Sequence, residues 1–173
     1  MNSTILINIR RFVILLLVQV LFLKQFIPNL GDFQYMEIIL YPLFLMLLPI
    51  KTPHSILVGL GFLIGLGVDI FYNSPGVHAS AGVLTGFIRP LIIRLTQSKE
   101  SYNLNQSPTM SNFGRNNFLI YAAVLLFIHL FTYFSVEAFT FVYIKEILLR
   151  TISSFIFSMV ILIMYMFVLN PKE

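Results

Sequence analysis

The sequence predicts an all-α, polytopic transmembrane bundle, and three observations carry that prediction. Of 173 residues, 58% are hydrophobic and only 10% charged, with mean hydropathy +0.89. A soluble domain carries about 25% charged residues, so this chain cannot cover a water-facing surface. Its apolar runs are long and uninterrupted, unlike the alternating segments of a membrane barrel. Its basic residues also gather on one side of those runs, as topology demands.

A helix needs about 20 mostly apolar residues to cross the hydrocarbon core. Six segments read as spans: 11–27, 36–50, 55–72, 77–95, 118–134 and 147–169. The first opens on Arg10-Arg11 like a signal peptide, but Phe26-Ile-Pro-Asn-Leu offers no small-x-small cleavage site. It therefore reads as an uncleaved span. The second is short and carries Pro42 and Pro49, which makes it the least helix-like of the six.

With six crossings and a cytoplasmic N-terminus, Arg10, Arg11, Lys51, Arg94, Lys99, Arg115 and Lys172 fall inside. Lys24, Lys145 and Arg150 fall on the outer side beside Asp32, Glu37, Glu137 and Glu146. Both termini are then cytoplasmic. The chain reads as a single integral membrane domain over 1–173, with residues 96–117 a polar cytoplasmic loop. That loop is expected to be a mobile connector, or a docking strip for a cytoplasmic partner. The net charge of +4 records topology and implies no nucleic acid.

The most informative stretch spans the third and fourth segments. Gly61, Gly65 and Asp69 are spaced four apart and share one helix face. Across the Asn73-Ser74-Pro75-Gly76 turn, His78, Gly82, Thr85 and Arg89 fall close to one line, with Gly86 adjoining. Such small-residue faces predict a tightly packed helical hairpin. Asp69 lies about three residues inside the helix end, roughly 5 Å deep by helical rise. An Asp69–His78 contact is therefore geometrically open. Matched depth extends the expectation to a polar cluster of Asp69, His78, His129 and Arg150.

Arg89 lies about 16 Å along the helix from His78 and is expected to snorkel to the cytoplasmic phosphates. Pro90 removes the backbone bond to Gly86 and predicts a kink or an exit from regular helix. Gln19, Ser153, Ser154 and Ser158 read as hydrogen-bonding groups between helices, and Lys24 as an interfacial anchor. His129 alone reads as a structural histidine.

With no cysteine, the chain offers no disulfide, thiolate metal site or cysteine nucleophile. No nucleophile–base pair, phosphate-binding loop or zinc motif is present, and Asp69 is the one aspartate within a span. Catalytic, cofactor and metal sites are therefore not expected, and the chain does not read as an enzyme.

The hairpin resembles the MreD family of small bacterial inner-membrane proteins of the rod-shape and cell-elongation system. The resemblance rests on Gly65, Asp69, Ile70, Phe71, Gly76, His78, Ala79, Ala81, Gly86, Arg89 and Pro90. Chain length, the five-to-six-span plan and the opening Arg11-Phe-Val-Ile-Leu-Leu-Leu-Val-Gln19-Val run agree with it. What the resemblance implies is a multi-pass protein of the bacterial inner (cytoplasmic) membrane with a noncatalytic assembly role. Such proteins partner MreC and act with MreB, RodZ, and RodA with its transpeptidase partner in lateral peptidoglycan synthesis. The family is also distantly similar to the six-helix substrate-binding subunits of energy-coupling-factor vitamin transporters. That similarity implies an alternative, a small-ligand pocket with Asp69 and His78 at its mouth. An adaptor should show a filled bundle and an apolar groove for a partner helix, and a transporter subunit an enclosed polar cavity.

Overall fold

In a computed structural model, residues 3–26, 36–96 and 106–169 are described. Asp32, Lys99 and Lys172, which the charge argument used, lie outside them, as do both chain ends. The fold is a helical bundle, and five of its helical stretches are long and apolar enough to cross a membrane. The first begins as α1 (Ser3–Leu17), passes through a π-helical stretch (Val18–Leu23) and closes with α2 (Lys24–Phe26). A single turn, α3 (Leu43–Met46), precedes α4 (His54–Tyr72), α5 (Val77–Thr96), α6 (Arg115–Ala138) and α7 (Ile144–Leu169).

The 36–50 segment departs from the helical span expected of it. It runs from one end of the bundle to the other as extended chain, the α3 turn and further turns, and residues 39–49 are all buried. Pro42 and Pro49 lack N–H groups and cannot sustain a continuous ladder. Irregular backbone is tolerated at membrane depth only where protein surrounds it and satisfies its polar groups. Here side chains from distant helices do so. Glu37 N donates to Ser154 Oγ and Ile39 N to Ser158 Oγ, both at 2.9 Å. Gln19 Oε1 accepts from Leu40 N at 2.8 Å, while its Nε2 donates to Ile38 O at 2.9 Å. At the other end, Tyr121 donates to Met46 O and Arg11 to Leu47 O. Arg89 donates to Leu48 O. Ser154 and Ser158 thus bond a threaded segment instead of joining helix to helix, while Gln19 does both, since its Nε2 also donates to the Tyr72 hydroxyl of α4 at 2.9 Å. Ser153 bonds carbonyls of its own helix, Leu149 O and Arg150 O.

The thread gives the bundle its direction. Arg11, Leu47, Leu48 and Ser107 meet at one end, where Ile50 N also donates to Gln106 O at 3.2 Å. The Arg115 guanidinium lies 5.7 Å from the Phe167 ring centroid, so the start of α6 and the end of α7 share that end. Asp69, Glu37 and Glu137 mark the opposite end. The described chain therefore starts and finishes at the same, basic end. Residues 106–113 do not behave as the connector expected there. Ser107, Thr109 and Phe113 are buried, and Arg11 donates to Ser107 Oγ at 3.3 Å. A serine that answers a buried guanidinium holds that stretch against the bundle.

Helices α4 and α5 approach most closely. A Cβ on Gly61 would overlap the Gly82 carbonyl, one on Gly65 the backbone of His78 and Ala79, and one on Gly86 the Leu57 carbonyl. This is the small-residue contact that the spacing predicted. Helix α5 passes through Pro90 without ending and continues to Thr96. One missing i→i−4 bond does not end a helix that is packed between α4 and α6.

Candidate functional site: a capped hairpin above a polar column

Helix α4 stops because Asn73 takes the left-handed conformation (φ 54°), and Gly76 follows with φ 87°. Both residue types accept that backbone more readily than most. The reversal brings the first amides of α5 over the last turn of α4. Helix N-terminal N–H groups have no partner inside their own helix and attract an anion. Asp69 supplies it, and is 3% exposed. Its Oδ2 accepts from Gly76 N at 3.1 Å and Ala79 N at 3.0 Å. Its Oδ1 accepts from His78 N at 2.9 Å and Ser74 Oγ at 3.0 Å. The aspartate of one helix caps the next.

His78 Nδ1 lies 3.0 Å from both Asp69 Oδ1 and Ser74 Oγ. Its ring sits among three tyrosines, with centroids 5.8 Å from Tyr41, 4.9 Å from Tyr72 and 4.6 Å from Tyr133. The buried Nε2 has no hydrogen-bond partner among the described residues. Below it the Tyr41 hydroxyl bonds His78 O at 3.3 Å and His129 Nε2 at 2.8 Å. His129 Nδ1 in turn meets Thr85 Oγ1 at 2.8 Å. A column of paired polar groups therefore descends from Asp69 along the thread.

Arg89 opens a second layer near the basic end. It is fully buried, bonding Leu48 O and, through Nε, the Tyr121 hydroxyl at 3.0 Å. The expected snorkelling is thus overturned. The threaded backbone offers carbonyl acceptors in the interior, so the guanidinium turns inward to them instead of toward phosphates.

The structure sorts the sequence candidates as follows. Gly61, Gly65, Gly82 and Gly86 make the close helix contact, and Asp69, Gly76 and His78 form the cap. Pro90 is half-buried within α5. His129 joins the column, but Arg150 does not join the expected cluster. It pairs instead with Glu137 at 3.2 Å and Glu146 at 3.4 Å on its own hairpin. Sequence reasoning passed over Tyr41, Tyr72, Tyr121 and Tyr133. A tyrosine inside an apolar run signals a partner for its hydroxyl, and that signal could have found them. Among the described residues no group of three or more His, Asp or Glu could hold a metal ion.

Compared with known proteins, the chain matches no family model, no curated protein and no solved structure.

Proposed function

We propose that the chain is a noncatalytic membrane component of the bacterial rod-shape complex. In this reading it partners an MreC-like protein and supports lateral peptidoglycan synthesis. The single observation that carries the reading is where the motif residues point. Gly65, Asp69, Gly76, His78 and Arg89 hold the hairpin and the thread together, and the open cavity that Asp69 borders is a surface one walled by the exposed Leu66, Ile70, Asn73 and Pro75. The interior that a small ligand would need is filled by Leu43, Leu45, Met46 and Leu47. That favours an adaptor over the transporter-subunit alternative. An apolar groove of about 520 Å³ between α1 and α4, walled by Ile9, Phe12, Phe44, Leu60 and Leu63, also suits a partner's transmembrane helix. The positive-inside bias places the basic end in the cytoplasm.

The test is purification of the tagged protein from its own membrane in mild detergent, wild type beside Asp69→Ala. Recovery of an MreC-like partner, reduced by the substitution, is the expected result. A solitary protein carrying a small molecule, or one recovered with an ATPase, refutes the adaptor reading.

A further inference from the structure

The groove between α1 and α4 has a direction. Its walls are apolar along Ile9, Phe12, Phe44, Leu60 and Leu63, and polar where Asn8 and Thr52 line it. Thr52 stands just before α4 begins, and Asn8 lies within the first turn of the apolar stretch Ile5–Leu23. Both therefore sit toward the basic end. From His54, where α4 starts, to Leu63 is about 14 Å of helix. Half of the hydrocarbon core is about 15 Å thick. The groove thus reaches through one leaflet, the depth of a single acyl chain. Ile9 at 50% and Leu63 at 54% exposure leave it open sideways, toward lipid.

The charge around the polar end has one sign. Arg10, Arg11, Lys51, Arg94 and Arg115 lie at the basic end of the bundle. The acidic side chains among the described residues, Glu37, Asp69, Glu137 and Glu146, all lie at the other end. Lys51 is exposed and adjoins Thr52 in the chain. The Asn8 amide oxygen accepts from Arg11 at 3.4 Å, which commits that oxygen and leaves the NH₂ group as a donor. Thr52 Oγ1 donates to Pro49 O at 2.7 Å, so its own hydrogen is spent within the chain. An ammonium and an amide donor beside an apolar slot one leaflet deep match a phosphate with an acyl chain attached.

We propose that this groove seats an anionic phospholipid of the leaflet on the basic side. One acyl chain lies along Phe12, Phe44 and Leu60, and the phosphate meets Lys51 and Asn8. The inference goes beyond the adaptor reading, because it concerns the protein without its partner. A partner's helix would displace this lipid, so either reading can fail without the other.

The chain has no tryptophan, which gives a clean probe. Full-length Leu63→Trp protein is placed in phosphatidylcholine vesicles holding a minor share of a lipid with brominated acyl chains, which quench indole fluorescence on contact. That lipid is phosphatidylglycerol in one series and phosphatidylcholine in the other. Val160→Trp, at an exposed position of α7 about 14 Å from its basic end, is the reference at matched depth. General attraction to the basic end acts on both positions. The preference for phosphatidylglycerol should be about five-fold greater at Leu63→Trp, the ~1 kcal/mol of one lysine beside an anionic headgroup. Adding Lys51→Gln, an exposed change that leaves the fold alone, should bring the two positions level while both lipids still quench. Equal preference at the two positions overturns the proposal, as does a preference that survives Lys51→Gln. A Leu63→Trp protein that neither lipid quenches overturns it too, and would mean that a second copy covers the groove.

Discussion

Replacing Asp69 by asparagine keeps the shape of the side chain and changes only what its two terminal atoms can do. Oδ1 accepts from His78 N and Ser74 Oγ and lies 3.0 Å from His78 Nδ1, and Oδ2 accepts from Gly76 N and Ala79 N. In asparagine one of these positions becomes an NH₂ group facing donors. With the amide nitrogen at Oδ2, two N–H groups at the start of α5 lose their acceptor. At Oδ1 the loss is a backbone N–H and a serine hydroxyl. A hydrogen bond to a charged acceptor contributes about 1.5–3 kcal/mol. Polar contacts within membrane bundles more often measure about 0.6–2 kcal/mol. Two lost bonds together with the lost helix-end charge therefore predict a destabilisation of about 2–4 kcal/mol. Because Asp69 is almost fully buried, solvent screening hardly reduces that figure. The assay is reversible unfolding in mixed micelles, titrated with denaturing detergent and followed by helical circular dichroism. A variant within about 0.5 kcal/mol of wild type refutes the claim that Asp69 caps α5, since that is the size of an ordinary surface substitution.

Other expectations follow from the same contacts. Gly61→Ala should destabilise the bundle by about 2 kcal/mol or more in that assay, because its methyl group meets the Gly82 backbone. Gly59→Ala, with nothing near its added Cβ, should change stability by less than about 0.5 kcal/mol. Gln19→Leu should lower stability by about 2–3 kcal/mol, since it strips an acceptor from Leu40 N and a donor from Ile38 O. Hydrogen exchange at the Leu40 amide should speed up in that variant, and unchanged protection there would contradict the role given to Gln19.

The membrane class and the helical hairpin were legible because each rests on local pattern. Apolar run length marks a span, and spacing by four puts Gly61, Gly65 and Asp69 on one face. The Asp69–His78 pair was legible for a similar reason, as a short turn fixes both depth and neighbour. The 36–50 thread was not. Leu43 to Leu48 are apolar whether the segment is a helix or an extended chain, and its conformation is decided by Gln19, Ser154, Ser158 and Arg89, all distant in sequence. Arg89 was misread for the same cause, because an acceptor such as Leu48 O is invisible until the thread is in place. Arg150 shows the limit of depth matching: equal height on two helices does not make them neighbours.

The thread also bears on how this chain can be made. Helices that leave the translocation machinery satisfy their own backbones and can wait in lipid for company. Residues 37–40 have no such independence. Two of their amides depend on serines of α7, more than a hundred residues later in the chain. Until α7 arrives, the segment cannot rest in hydrocarbon without leaving polar groups bare. Insertion must therefore include a closure in which α7 seals an early segment. A chain stopped short of α7 would display an unsatisfied strand that a membrane quality-control protease could seize.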